Sequence, residues 1–255
     1  MHNNIKTLHN YLSNTLFLAW IEIKLKYSRS VLGPFWITLS CCVLVLGLTF
    51  INISLFSTDL KVILPWITTG IIFWNYITSI IEDSTKIFDN QKLLNIPIKL
   101  IDLVSVNVFK NIIMLFHNLI VVILVFLFLG IKLNLNFFFI FFGIVIFVIN
   151  SYCISILFGL LCLRFRDFIL IIKNAIYLIF LITPIFWLPS SLSKNTLVLV
   201  DYNIIFQIIQ SIRDPLLGNK LNSNCFLINS FFSTLLLLLA FFFYNKFKKK
   251  ALFWI

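Results

Sequence analysis

The chain of 255 residues is 61% hydrophobic and 11% charged, and its formal net charge is +11. A soluble domain carries about 25% charged residues and cannot hide this much apolar surface in one core, so the composition excludes an ordinary soluble domain and indicates a polytopic membrane protein. The basic residues fall in short clusters between apolar runs, which is typical of membrane-flanking anchors and argues against a nucleic-acid partner.

Residues 1–30 form an amphipathic stretch. Apolar residues recur there at steps of three and four, which marks one face of a helix. They are Ile5, Leu8, Leu12, Leu16, Ala19, Ile23 and Tyr27. A helix of this kind is suited to the cytoplasmic membrane surface, with its basic residues near anionic headgroups. We therefore predict an interfacial helix at 1–30, followed by a membrane domain at 31–255.

Between these two regions the sequence predicts a hinge. Pro34 has no N–H to donate, which suits the first turn of a new helix. Gly33 allows the chain to bend there, and Ser30 can cap the new helix. With Arg29 as a basic anchor, the joint would turn a helix in the membrane plane into one that crosses it. The alternative is an ordinary flank that happens to be amphipathic.

Six apolar runs follow, each near the roughly 20 residues that a helix needs to cross a hydrocarbon core of about 30 Å. They are Val31–Phe56, Val62–Ile81, Leu103–Gly130, Phe137–Leu163, Phe168–Leu188 and Phe226–Tyr244. The runs are long and do not alternate, so helices are favoured over strands. We predict an all-α fold with six transmembrane helices.

The distribution of basic residues predicts the orientation. Of the 20 Lys and Arg residues, 15 fall in the N-terminus, the loops after the second and fourth spans, and the C-terminus, and 5 fall elsewhere. The positive-inside rule then places both termini in the cytoplasm. The expected location is the inner, cytoplasmic membrane.

The largest internal cytoplasmic loop of this topology covers residues 82–102. Ser84 can cap a short helix that starts at the next residue. Ile87, Leu93 and Leu94 are apolar in a segment placed outside the bilayer, so they need a partner or the membrane surface to cover them. The alternative is a loop that folds onto its own helices.

A second cytoplasmic cluster reads "RFRD" and contains Arg164, Arg166 and Asp167. One of the arginines can pair with Asp167 or bind a phosphate of a lipid or an incoming substrate through two hydrogen bonds. The alternative is a structural anchor whose charged heads reach the membrane surface.

Residues 189–225 are too apolar for a free aqueous loop, yet they carry Asp201, Gln207 and Gln210. They predict one or two short re-entrant or interfacial helices before the last span, because irregular backbone at membrane depth requires a protein or water cover.

Within the spans, Trp74, Asn75 and Tyr76 are candidates for lining a channel, because sugars stack on aromatic rings and bond to amides. The alternative for these three residues is packing or lipid contact. His117 lies inside the third span, where an ionisable group suggests function, although hydrogen bonding between helices also explains a lone histidine.

Four stretches in chain order carry a family resemblance. They are "YSRSVLGPFWITLS", "LPWITTGIIFWNYITSII", "LRFRDFILIIKNAIYLIFLITPIFW" and "KKKALFWI". Together they resemble the ABC-2 type permeases that export polysaccharides, including O-antigen, capsule and teichoic acid transporters. The chain departs from the family pattern at Asn203-Ile204, where Asn-Pro is frequent, and in "ALFWI", which lacks a proline.

The resemblance implies a homodimer that works with two separate ATP-binding cassette ATPase subunits and moves a lipid-linked glycan out of the cytoplasm. It implies that the loop 82–102 docks on the ATPase and that 189–225 forms a periplasmic gate. The implied coupling residues are Lys86, Ile87, Asp89, Lys92, Leu93 and Leu94. The chain itself would be no enzyme and bind no cofactor, with ATP and Mg²⁺ on the partner. Consistently, none of its seven glycines lies in a Gly-x4-Gly-Lys-Ser/Thr loop.

Other functions stay open from the residues. An ABC-2 exporter of another lipid or amphiphile fits the same pattern. A secondary transporter would usually carry paired acids or broken helices near the midplane. A purely structural membrane protein explains the spans but not the amphipathic helix, the cytoplasmic loop and the re-entrant segment together. The five cysteines show no metal or redox spacing, so no metal is expected.

Overall fold

The computed structural model describes residues 2–88, 99–131, 135–191, 200–220, 222–251 and 254. Within these ranges the chain forms eight α-helices and no strand, so the prediction of an all-α fold is confirmed. The helices are α1 (His2–Lys26), α2 (Phe35–Phe56), α3 (Leu60–Ser84), α4 (Leu100–Leu129), α5 (Ile140–Arg164), α6 (Phe168–Ile182), α7 (Ile204–Leu216) and α8 (Ser223–Ala251). Short 3₁₀ turns occur at Leu135–Phe139 and Pro189–Ser191.

Five helices are long and apolar enough to cross a membrane, namely α2, α3, α4, α5 and α8. The chain is therefore a multi-pass membrane protein by length and composition. The predicted fifth span, Phe168–Leu188, contains only the 15 residues of α6, which measure about 22 Å. Pro184 explains the early end, because a proline disfavours helical backbone in the residue before it, and Thr183 is extended. The sixth crossing stays a prediction.

Helices α5 and α8 run parallel. Asn150 of α5 bonds to Asn229 near the start of α8, and Arg164 at the end of α5 lies beside Trp254 after the end of α8. Helices α3, α5 and α8 all terminate at the same end of the bundle. We refer to this end as the basic end. Since α5 ends at the basic end and α8 begins at the opposite end, residues 165–222 must lead from one end to the other.

Helix α3 forms the centre of the bundle and packs against α2, α4 and α5. Its Ile63, Ile67 and Ile71 are fully buried. By contrast, α2 and α8 leave large apolar side chains exposed, for example Phe50 and Phe231. An exposed apolar surface of this extent suits contact with lipid or with another membrane chain.

Helix α1 packs along α4 and buries only part of its apolar stripe. Ala19 and Ile23 of the predicted stripe are buried, and Thr15 extends this face. Leu12 and Leu16 of the same stripe are exposed, so they remain available to a membrane surface, and the interfacial placement of α1 stays a prediction. The helix therefore buries one narrow strip and leaves much of its apolar surface uncovered.

Candidate functional site

A cluster of three charges joins α1, α3 and α4. The Lys110 Nζ atom lies 3.1 Å from Glu22 Oε2 and 3.1 Å from Asp83 Oδ2. Asn111 donates to the same Asp83 oxygen at 3.1 Å. These are the two ion pairs within the described part of the chain. Sequence reasoning counted Lys110 only as a topology signal, although a lysine inside an apolar span was a signal for a buried partner.

A second bond fixes α1 against α4. The Tyr11 hydroxyl lies 3.1 Å from Ser105 Oγ. Burial raises the pKa of Tyr11 above its usual range, so this hydroxyl keeps its proton at neutral pH. The Tyr11–Ser105 and Glu22–Lys110 contacts are eleven residues apart on α1 but only five residues apart on α4. The two axes are therefore inclined to each other.

A buried hydroxyl and amide network lies next to the charge cluster. Asn107 donates to Ser84 Oγ and Ser155 Oγ at 3.2 Å each, and the two hydroxyls are 3.0 Å apart. The Ser84 hydroxyl also bonds the carbonyl of Ile80 in its own helix. Ser84 thus ends α3 and caps no new helix. That prediction is wrong, because the hydroxyl is used between helices and the next four residues form turns.

The predicted coupling loop is described only at its two ends. Lys86 is exposed, Ile87 is partly buried and Phe88 is buried. Ile87 and Phe88 lie over Gly159 of α5, where an added Cβ would come within 2.9 Å of both side chains. This end of the loop therefore folds onto the chain's own helices. The other predicted coupling residues lie outside the described residues; they are Asp89, Lys92, Leu93 and Leu94.

The hinge has the backbone geometry that its sequence indicates. Gly33 adopts φ +56°, and Pro34 precedes the first helical residue, Phe35. Arg29 is exposed just before the joint. Helix α2 has no side-chain cap, so the predicted role of Ser30 is wrong. Backbone carbonyls of the turn accept the first N–H groups instead.

We expect Gly33→Val to destabilise the joint by about 1–2 kcal/mol, because a left-handed backbone brings Cβ close to the following carbonyl oxygen. The matched control is Gly47→Val, which adds the same side chain within α2, where a Cβ would meet nothing within 4 Å. Thermal unfolding of the purified chain and protease cleavage at the joint measure the effect. Equal losses in both variants would show that the left-handed geometry is not the cause.

A fully buried arginine occupies a slot between α3 and the segment after α6. Arg213 Nη1 donates to the Pro184 carbonyl at 3.2 Å, and the guanidinium lies 3.9 Å from the centre of the Trp66 ring. An added Cβ at Gly70 would overlap Nη2 and lie 2.9 Å from the Ile185 carbonyl oxygen. Glycine at position 70 is therefore what admits Arg213.

The non-helical segment Thr183–Leu188 has its carbonyls held by side chains of other helices. Asn52 of α2 donates to the Phe186 carbonyl at 2.8 Å, and Trp66 of α3 donates to the Trp187 carbonyl at 3.1 Å. Together with the Arg213 bond, three carbonyls find partners from three helices. The sequence analysis included most of this segment in the family-like stretch that ends in "TPIFW" but did not predict these hydrogen-bond partners. Arg213 in particular was counted as an exterior loop residue.

Helix α7 starts beside the same segment and leads away from it. Asn203, at its start, donates to Thr183 Oγ1 at 3.0 Å and caps α7 by accepting from the Phe206 N–H. After α7, the Gly218 carbonyl accepts from Asn136 at 3.0 Å, next to the start of α5. The chain from 183 to 218 thus returns to the end of the bundle opposite the basic end.

The "RFRD" residues are exposed at the basic end. The Arg164 guanidinium lies 5.3 Å from the Trp254 ring centre and 5.7 Å from that of Phe165. Neither Arg164 nor Arg166 pairs with Asp167, so the predicted ion pair is not formed. Neither guanidinium group has a carboxylate partner within the described ranges.

The three candidate channel residues have different environments. Trp74 packs 5.5 Å from Phe180, and the Tyr76 hydroxyl lies 3.0 Å from Ser151 Oγ. Both rings are buried between helices of the chain. Asn75 lines a small polar pocket of about 180 Å³ between α3 and α4. The channel role of the three residues stays a prediction.

Neither a reactive histidine nor a metal site is found among the described residues. The His117 ring nitrogen Nδ1 lies 3.1 Å from the Ile113 carbonyl in its own helix, and its ring meets Phe35 edge-on. Among the described residues, no group of three or more His, Cys, Asp or Glu side chains is placed to hold a metal ion.

The chain was compared with known proteins. It matches no protein-family model, and no curated protein is significantly similar to it in sequence.

Proposed function

We propose that the chain is the transmembrane permease subunit of an ATP-driven exporter that moves a lipid-linked polysaccharide, such as an O-antigen-like glycan, across the cytoplasmic membrane. It would act as a homodimer with two ATP-binding cassette ATPase subunits that bind ATP and Mg²⁺. The ordered set of four family-like stretches is the sequence basis of the proposal. The chain's lack of a Gly-x4-Gly-Lys-Ser/Thr loop supports a separate subunit for ATP hydrolysis.

The observation that carries a transport function is the non-helical segment Thr183–Leu188. Backbone of this kind is tolerated at membrane depth only where protein or a water-filled cavity covers it, and broken helices are typical of transporters. Here the segment follows an apolar helix, and side chains from α2, α3 and α7 satisfy its carbonyls. A protein that only anchors or scaffolds has no need of such a costly arrangement.

Six crossings with both termini in the cytoplasm are part of the proposal. The parallel arrangement of α5 and α8 supports it, because residues 165–222 must cross from the basic end to the opposite end. In this topology α6 and Thr183–Leu188 make the fifth crossing together, and α7 is a re-entrant gate helix. The contact of Asn203 with Thr183, and the later return to Asn136, support that path.

The charge cluster supports a mechanical link to the ATPase. Asp83 lies in the last turn of α3, at the start of the coupling loop 82–102. Through Lys110 it is joined to Glu22 of α1. A movement of the coupling loop would thus reach α1 and, through the Gly33-Pro34 joint, the start of α2.

A secondary transporter is the alternative, because the break at Thr183–Leu188 fits it as well. The charge cluster speaks against it, since it lies at the end of α3 and not near the midplane, where transported ions usually bind. Export of another lipid or amphiphile differs from the proposal only in the cargo.

Reporter fusions test the topology. We expect cytoplasmic signals after Glu82, after Arg166 and at Ile255, and exterior signals near Lys61, Asn134 and Asn195. A chain with only five crossings would carry Ile255 on the exterior side. The fusion at Ile255 therefore decides between five and six spans, because the basic-residue bias alone cannot exclude an odd number.

Copurification tests the function. The tagged chain, purified from its own membranes, should bring down an ATPase with a Walker A loop, and its deletion should remove glycan from the cell surface. We expect the double variant Leu93→Asp/Leu94→Asp to reach the membrane but to lose the ATPase and export. Each buried apolar contact is worth about 1.5–3 kcal/mol, and a buried carboxylate adds a cost.

The matched control changes the ATPase instead. A variant without its Walker A lysine should still copurify with the permease but should not export glycan. Normal export from the Leu93→Asp/Leu94→Asp double variant would rule out this loop as the docking element. A deletion strain with unchanged surface glycan and no copurifying ATPase would contradict the proposed function.

A further inference from the structure

A large apolar groove runs along one side of the bundle, between α5, α6 and α8, with α3 and α7 at its floor. Its volume is about 860 Å³. Arg164 and Phe165 lie at one end of it, at the basic end of the bundle, and Asn150, Ser151 and Asn203 line its inner end. The side walls are apolar. They include Ile154, Leu157, Leu161, Ile179, Leu236 and Phe243.

The groove opens sideways, because α6 and α8 do not pack along each other. Both helices nevertheless line it, with Ile179 on one side and Leu236 on the other. A gap between two apolar helices of a membrane protein leads to lipid and not to water. The natural occupant is therefore a molecule of the bilayer.

The groove is longer than the hydrocarbon part of one leaflet. Asn150 and Arg164 are fourteen residues apart on α5, which corresponds to about 21 Å along the helix. Half of the hydrocarbon core measures about 15 Å. A hydrocarbon chain with its headgroup at Arg164 would thus lie entirely within the groove and end before the polar residues at its inner end.

Arg164 lies at the end of the bundle where the flanking helices α6 and α8 change from apolar to charged residues. Arg166 and Asp167 immediately precede α6, and α8 turns from phenylalanines to Lys246 and Lys248 at its end. The headgroup region therefore meets the mouth of the groove. Arg164 itself has no carboxylate partner among the described residues and is exposed.

We propose that this groove binds a single phospholipid, with its phosphate on Arg164 and one acyl chain between α5, α6 and α8. Arginine is suited to this role because its planar donors match two phosphate oxygens at once. An apolar helix of a second copy would fill the walls but would leave the guanidinium without an anion. The proposal requires only that the chain lies in a membrane, and it is independent of cargo and ATPase.

The test measures binding of dioleoyl phosphatidylglycerol to the full-length chain, purified from membranes in detergent and stripped of lipid, by native mass spectrometry. We expect Arg164→Gln to weaken binding about tenfold, because a hydrogen bond to a charged group is worth about 1.5–3 kcal/mol. Dioleoylglycerol, which lacks the phosphate, should bind the unaltered chain about tenfold more weakly for the same reason. Ile154→Trp should abolish binding by filling the groove.

Two matched controls separate the groove from the surface around it. Arg166→Gln removes a neighbouring charge that does not line the groove, and Leu124→Trp adds the same ring to an exposed position on α4. Both should bind like the unaltered chain. Because Arg164 is exposed, its substitution should leave the thermal midpoint unchanged. The Arg164→Gln variant therefore still tests the proposal if Ile154→Trp fails to fold.

Several outcomes would overturn the proposal. Equal affinity of all variants, or an equal loss in Arg164→Gln and Arg166→Gln, would reduce the site to general attraction by a basic surface. Competition by inorganic phosphate as effective as by the lipid would indicate a free-phosphate site. Loss of the dimer in Ile154→Trp with lipid binding unchanged would mean that a second copy occupies the groove.

Discussion

Gly70→Ala is expected to destabilise the protein by about 1–3 kcal/mol and, under the proposed function, to stop export, although it adds only one methyl group. Its Cβ would overlap Arg213 Nη2 and press on the Ile185 carbonyl oxygen. Insertion into a packed core costs about that much. In addition, the buried guanidinium would be pushed away from the Pro184 carbonyl, which accepts no other hydrogen bond from the described residues. The thermal midpoint and surface glycan are the measurements.

The control is Gly47→Ala, which places the same methyl group in open space on α2 and should behave like the unaltered chain. A double variant, Gly70→Ala with Arg213→Met, should lose less than the sum of the two single variants, because the shorter and uncharged side chain relieves the overlap. Such non-additivity is expected of residues in direct contact. Strictly additive losses would mean that the two residues do not meet.

Lys110→Met is the second change with a large expected effect. It leaves the Glu22 and Asp83 carboxylates side by side without their shared cation. Removing one member of a buried ion pair costs about 3–5 kcal/mol. Because Glu22 and Asp83 are partly exposed, with relative side-chain exposures of 37% and 29%, we expect a smaller loss of about 2 kcal/mol.

The loss of stability in Lys110→Met should appear at the contact between α1 and α4. With α1 released from α4, proteases should cleave between α1 and α2 faster, whereas the membrane spans stay inserted. Lys110→Arg keeps the charge and should be mild, and Lys248→Met removes an exposed lysine and should be silent. Adding Glu22→Gln and Asp83→Asn to Lys110→Met should restore much of the stability. An unchanged cleavage rate in Lys110→Met would show that the cluster does not hold α1.

The sequence allowed the helical class and five of the six predicted spanning helices to be anticipated, because long apolar runs that do not alternate cross lipid as helices. It also indicated the left-handed glycine at position 33, since the neighbouring Pro34 restricts where the chain can bend. The fifth predicted span contains a helix of only 15 residues. Pro184 was visible in the sequence and ends α6, but the apolar run to Leu188 outweighed it.

The interhelical contacts could not be predicted in the same way. Lys110 meets residues that are 88 and 27 positions away, and Arg213 reaches a carbonyl 29 positions away. Apolar periodicity tells which face of a helix is buried, but not which polar groups meet there. Helix α1 shows this, because its bonds at Tyr11 and Glu22 to α4 were not visible in its apolar pattern.

The parallel pairing of α5 and α8 also bears on how the protein is made. Asn150 and Asn229 are 79 positions apart in the chain, so α5 enters the membrane long before the helix that covers it is synthesised. Contacts of such high sequence separation form late. During that interval the buried amide of Asn150 lacks its partner in lipid. A chain that stops before α8 would therefore leave this amide unpaired in the membrane, and insertion of the final helix completes its pairing.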